Sequence, residues 1–195
     1  MFLLHKPSEK EINEFIAAQA DALFSYKEIG ATKNQCAPEG FPINRYRKEL
    51  GNGEQTYKNA VKAIEAWQMY ALDWTQLCPS NAPIKKGEVV ATLINHLGFW
   101  SLNPCRIIYL IDEENEKFNR YGFGFGTLSA HSEQGEEQFI VEWDKADDSV
   151  WYELYAFAKP NGLLAKIGFL FVHYLQKRFA AESYRAMLKA VVQKQ

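Results

Sequence analysis

The sequence predicts an α+β fold: a curved antiparallel sheet of about six to seven strands gripped by a long C-terminal helix, with two helices in the N-terminal half. Two observations carry this. The hydrophobic period is helical in two early segments, changes to two from Glu88, and becomes helical again after Lys159-Pro160-Asn161-Gly162. Short polar connections such as Asp112-Glu113-Glu114-Asn115-Glu116 and Asp144 to Ser149 separate the period-two segments, which favours hairpins over crossovers.

The elements follow in order. Ser8 with Glu11 is a capping-box pair, and Ile12, Phe15, Ile16 and Ala20 recur at helical spacing, so a first helix starts there. Gly30 to Pro42 is rich in turn formers and reads as a loop. Ile43 to Leu50 reads as a short strand ending at the turn Gly51-Asn52-Gly53. From Glu54, the residues Tyr57, Val61, Ile64 and Trp67 share one face of a second helix. Gln68 to Thr75 is apolar and ambiguous, and the Pro79 and Pro83 loop ends it. Five strands are expected at Val89–Asn95, Arg106–Ile111, Phe118–Thr127, Gln138–Asp144 and Val150–Phe157.

The last helix is expected from Leu163, apolar nearly all round through Leu164, Ile167, Phe169, Leu170, Phe171, Val172, Tyr174 and Leu175, and therefore buried on most sides. Its second half, with Lys177, Arg178, Glu182, Arg185 and Lys189, reads as an ordinary amphipathic helix emerging at the surface.

Composition narrows the function. The 195 residues, 47% of them hydrophobic, suit one domain with one core. A formal net charge of −2 lacks the general attraction for phosphates that nucleic-acid binders use, so no nucleic-acid partner is expected. Cys36, Cys78 and Cys105 are odd in number and widely spaced, which fits neither a disulfide framework nor a zinc site and suits a reducing, cytoplasmic setting. No secretory signal is read at the N-terminus, and the longest near-apolar run is too short to cross a bilayer. Peripheral membrane contact through the basic terminal helix stays open, as does the oligomeric state.

Chemically suggestive residues are sparse. Tyr121, Phe123 and Phe125 alternate with Gly122, Gly124 and Gly126, so one strand face is aromatic and the other bare. The leading reading is a sharp bend packed against a helix; close approach of a ligand is the alternative. The segment Leu128 to Glu137 reads as a polar hairpin loop. It also places His131 near Glu133, Glu136 and Glu137, a grouping that could move protons. Glu153, in an otherwise apolar row, is expected at a sheet edge. Arg106 reads as a structural ion-pair partner or a fork for a ligand's carboxylate, and Cys105 as a small buried hydrophobe. No spacing of His, Cys or carboxylates suggests a metal, and no cofactor motif occurs; the alternating glycines lack the helix that must follow a phosphate loop.

Leu50-Gly51-x-Gly53 with Trp67, Asn103-Pro104-Cys105-Arg106, the run from Gly122 through His131 to Glu137, and Ala156-Phe-Ala-Lys-Pro160 together resemble the bacterial and plant family known as domain of unknown function 1990 (UPF 0548). The resemblance extends from the Gly40-Phe41 region to the terminal helix, and Gly122 to Glu137 is its most specific part. This chain carries Ala158-Lys159 where the family usually has Ser-Arg, which keeps a charge but not a guanidinium fork. The family name implies no activity. The order of elements is also similar to the helix-grip architecture of the START and Bet v 1-like proteins, an analogy of fold that implies a cavity for lipids, steroids or polyketides between sheet and final helix.

Three functional expectations follow. The first is a binding module for a hydrophobic small molecule or lipid between sheet and C-terminal helix, with Trp67, Arg106, Tyr109, Gly122, Gly124, Gly126, His131, Glu136, Tyr155 and Phe171 as candidate ligand contacts. The second is a cyclase- or hydrolase-like enzyme using His131 with Glu133, Glu136 or Glu137. The third is a protein or membrane-surface interaction domain.

Overall fold

A computed structural model of the chain describes residues 1–96, 98–161 and 169–192; the side chains of 169–173 lie outside that description. The elements are β1 (Phe2–Leu3), α1 (Glu9–Ala17), β2 (Ile43–Asn52), α2 (Glu54–Glu65), β3 (Thr75–Cys78), β4 (Val89–His96), β5 (Phe99–Glu114), β6 (Phe118–Thr127), β7 (Glu133–Asp144), β8 (Ser149–Pro160) and α3 (Phe169–Val192). The strands form one antiparallel sheet in the order β2-β8-β7-β6-β5-β4-β3, with β1 pairing onto β5. β3 to β8 are a meander, and β2 joins its far edge against β8.

The antiparallel sheet with a C-terminal helix agrees with the sequence reading. The expected capping box is present: the Ser8 side chain accepts from the Glu11 N–H while the Glu11 carboxylate accepts from the Ser8 N–H. The helix ends at Ala17, before Ala20 and Leu23, and Leu23 is 80% exposed. In the ambiguous stretch, Gln68–Tyr70 form a 3-10 turn that leads into β3, a strand of four residues too short to show a period. The strand expected at Arg106–Ile111 is longer: β5 starts at Phe99, so Asn103-Pro104-Cys105 lies inside it.

The two faces of the sheet serve different partners. The inner face carries Phe123 and Phe125 of β6, Phe139 and Val141 of β7, and Val150, Tyr152 and Leu154 of β8, packed with Ile64 and Trp67 from the α2 region and Ala180, Met187 and Val191 of α3. These α3 residues recur at helical spacing, whereas Lys177, Arg185 and Lys189 point to solvent, as the amphipathic second half predicts. Burying a side chain of this size is worth about 1.5–3 kcal/mol, so this cluster supplies the main attraction between helix and sheet. The helix start expected at Leu163 and its first apolar residues fall outside the described residues.

The outer face is covered by α1 and the chain that follows it. Ile12, Phe15 and Ile16 pack on Ala91, Leu93 and Leu102, and Tyr26 sits edge-on to Phe157. This corrects the reading of the glycine face. Among the described residues no helix packs there; instead the Tyr109 ring covers Gly124 and the Tyr26 hydroxyl covers Gly126, each so close that a Cβ on the glycine would collide with it.

Glu153 is corrected too. β8 is an interior strand, and Glu153 is buried on the outer face, accepting from Arg47 Nη1 at 2.9 Å and Gln35 Nε2 at 2.6 Å. Arg47 Nη2 donates to Glu142 at 2.6 Å, and Arg120 Nε donates to the other Glu142 oxygen. The result is a charge ladder across β2, β8, β7 and β6.

Candidate functional site

The aromatic cluster fills only part of the space between sheet and α3. Beyond Tyr70, Phe125 and Phe179 a cavity of about 280 Å³ remains, reaching toward β1, Ile94 of β4 and Phe99 of β5, with Leu175 and Gln176 of α3 on its far side. Apolar groups form most of its wall. A polar patch comes chiefly from the start of β7 and the turn before it.

Strand alternation makes that patch. In β7 the side chains of Glu133, Glu137 and Phe139 face inward with Gly135 between the two glutamates, while Gln134, Glu136 and Gln138 face outward. Glu133 accepts a hydrogen bond from Gln176 Nε2 at 2.6 Å, and Glu137 accepts from the Tyr70 hydroxyl at 3.3 Å. Thr127 Oγ1 accepts from Gly135 N at 2.9 Å and pins β7 to the end of β6.

Electrostatics set these groups apart. Burial raises the Glu133 carboxyl to about 7, against the pull of the Gln176 hydrogen bond. Burial, with the Glu133 charge adding to it, raises Glu137 to about 8, and the Tyr70 hydrogen bond only partly opposes this. Burial pushes the Tyr70 phenol and the Cys105 thiol well above their ordinary ranges, with the Glu137 charge as the next cause for each. His131 moves the other way: burial holds it down at about 3, and its Nδ1 accepts from the Glu133 backbone N–H at 2.8 Å. Its imidazole is therefore neutral, with the proton on Nε2.

Of the residues expected at a site, His131, Glu133, Glu136 and Glu137 border the cavity. The Glu136 side chain, however, turns to the outer face. Its carboxylate accepts from Tyr26 Oη at 2.7 Å, Gly30 N at 2.7 Å, Thr32 N at 2.9 Å and the Thr32 hydroxyl. Glu136 therefore ties the segment after α1 to the sheet.

Gly122, Gly124 and Gly126 also lie on the outer face, away from the cavity. Tyr109 would face inward with Ile107 by strict alternation, but a register shift between Ile107 and Tyr109 turns its ring outward, where its hydroxyl meets Thr32 and Gln138. Tyr155 donates to the Gln35 carbonyl on that same side. Arg106 donates to the carbonyls of Gln19 and Ala20 at 3.1 and 2.7 Å, so it neither pairs with a carboxylate nor enters the cavity. Trp67 is core: its indole donates to the Ala82 carbonyl at 2.8 Å and its ring packs on Phe123. The Phe171 side chain lies outside the described residues.

Sequence reasoning missed Tyr70, Trp74, Gln176 and Phe179, all cavity-lining. Only Gln176 carried a usable signal, as a polar residue at the end of an apolar helical run.

Residues 25–186 match the family model described as "Domain of unknown function (DUF1990)". The chain belongs to the DUF1990 family. A UPF0548 protein of Dictyostelium discoideum is 34% identical over 207 residues, covering 98% of this chain and 96% of the relative. The family resemblance read from the motifs is thus met, and in this DUF1990 protein the most specific motif, Gly122 to Glu137, is the hairpin of β6 and β7 that holds the inward glutamates.

Solved structures show the same architecture at low identity. The TTHA0849 protein of Thermus thermophilus matches with a TM-score of 0.51 at 9% identity, over 78% of this chain and 99% of that one. Human STARD10 matches with a TM-score of 0.50 at 12% identity, over 97% and 81%. These likenesses establish a helix-grip fold and nothing further. Among the described residues no helix is long and apolar enough to cross a membrane.

Proposed function

We propose that this DUF1990 chain binds a hydrophobic small molecule or lipid in the cavity between the inner sheet face and α3. The observation that carries the reading is the cavity itself, about 280 Å³ in volume, walled mainly by Phe125, Phe179, Trp74, Ile94 and Leu175 and carrying one polar patch. Mostly apolar walls with a few fixed polar groups are the usual make-up of a small-molecule site.

The test is to fill the space. Ala158, on the inner face of β8, borders the cavity and is partly accessible. Ala158→Phe is expected to weaken binding of a neutral solvatochromic dye such as Nile red at least tenfold while the thermal midpoint holds. Native mass spectrometry of the purified protein is expected to show a bound small molecule that the variant lacks. Unchanged dye affinity in a folded variant would sink the reading.

A second reading, acid–base catalysis in the same cavity, is favoured by one observation: Glu133 at about 7 and Glu137 at about 8 are poised to exchange protons near neutrality. Under this reading the two carboxyls carry the chemistry, and the neutral His131 orients Glu133 through its backbone.

A further inference from the structure

The polar wall of the cavity has a sign. Glu133 and Glu137 both point into it, and among the described residues no lysine or arginine lines it or pairs with either carboxylate. Among the described residues each has one protein donor on one oxygen, from Gln176 and from Tyr70. On the outer face of the same strand, Glu142 meets two guanidinium groups. Among the described residues this half-buried inner pair thus has no lysine or arginine as counter-charge, which carboxylates withdrawn from water ordinarily require.

The space between the two is open. Their Cα atoms are about 13 Å apart along the strand, and Gly135, the inward position between them, projects no side chain. Gly135 tolerates none, since a Cβ there would collide with the Phe157 carbonyl. A head group entering the gap meets carboxylate on two sides and the aromatic faces of Tyr70, Phe125 and Phe179 beyond them. Carboxyls that ionise toward a cation, together with aromatic faces, are the chemistry that selects an ammonium; an anionic fatty-acid or phosphate head gains nothing from their ionisation.

Building on the binding reading above, we propose that the cavity takes an amphipathic amine, with its ammonium over Gly135 between Glu133 and Glu137 and its apolar body against Trp74, Phe125 and Phe179. Several titratable groups face the pair. Tyr70 enters from the turn after α2, Cys105 from β5, His131 from the turn before β7 and Tyr152 from β8. All four are neutral near pH 7, with the Tyr70, Cys105 and Tyr152 protons retained and the His131 ring held uncharged by burial. His96 of β4 also lines the cavity, and the Met1 ammonium lies beside His131; burial lowers both from their ordinary values. The two carboxyls are the groups that flank Gly135, so an ammonium bound there draws a proton off them.

The experiment compares octylamine, octanol and octanoate by titration calorimetry on the full chain at pH 7, each amine titration run in phosphate and in Tris to count protons. Octylamine is expected to bind at least tenfold tighter than the other two and to release about one proton. In Glu133→Gln/Glu137→Gln the amine preference and the proton release are expected to vanish while octanol affinity holds. If octanoate binds as tightly as the amine, or the double variant keeps the preference, the head-group proposal is overturned and the binding reading survives. If none of the three binds to folded protein, or all bind equally to Ala158→Phe, the binding reading itself falls.

Discussion

One strand, β7, carries glutamates on both faces, and they have opposite fates. On the outer face Glu136 is satisfied by four donors, and Glu142 is held below its usual range: burial alone would raise it, but the hydrogen bonds from Arg47 and Arg120 together outweigh burial. On the inner face Glu133 and Glu137 each have one donor among the described residues and retain protons near neutrality. The outer glutamates hold the fold together, whereas the inner ones strain it when they ionise. Groups that destabilise a fold and still line a cavity are the ones to examine for function.

The largest effect that would test this contrast comes from Glu136. Glu136→Ala leaves the Tyr26 hydroxyl, the N–H groups of Gly30 and Thr32 and the Thr32 hydroxyl without their acceptor, and is expected to lose about 3–5 kcal/mol in urea denaturation. A loss below about 1 kcal/mol, the net worth of a single hydrogen bond, would mean that the segment after α1 is held by its apolar contacts alone.

The inner pair is expected to act with the opposite sign. Both folded-state values lie above the unfolded carboxyl value of 4.5, so the unfolded chain gives up protons first as pH rises. Stability therefore falls between pH 4.5 and about 8. Glu133→Gln/Glu137→Gln is expected to flatten that decline and to gain about 1–3 kcal/mol over the wild type at about pH 8, with little difference at about pH 4.5. Equal stability of the two proteins at the alkaline end would erase the contrast.

A smaller effect belongs to the charge ladder. Glu142 has a lowered folded-state value, so its contribution is present above the unfolded value of 4.5 and is lost as pH falls through the folded one. With Arg47 and Arg120 each about a third exposed, Glu142→Gln is expected to cost only about 1–2 kcal/mol at pH 7, shrinking toward zero in acid. A penalty that persists at low pH would point to packing rather than charge.

Much of the fold was legible because repetition carried it. Alternation in β6 and β8 and helical spacing in α2 and α3 record which side of each element meets the core, and the capping box at Ser8 is a purely local geometry. Part of the site was legible in the same way: once β7 is known to start at Glu133, alternation sends Glu133 and Glu137 to one face and Glu136 to the other. The loop reading of that segment concealed the division, because polar residues at inward positions hide the period that reveals a strand.

What the sequence by itself determined is the class of fold, the family, and the presence of His131 beside three glutamates. Only the tertiary structure decided that a register shift turns Tyr109 outward, that tyrosines rather than a helix cover Gly124 and Gly126, and that Tyr70, Gln176 and Phe179 meet Glu133 and Glu137 around one cavity. The reason is physical: a local pattern fixes which way a side chain points from its own backbone, whereas a cavity is the space left between elements distant in sequence, set by the packing of all of them together.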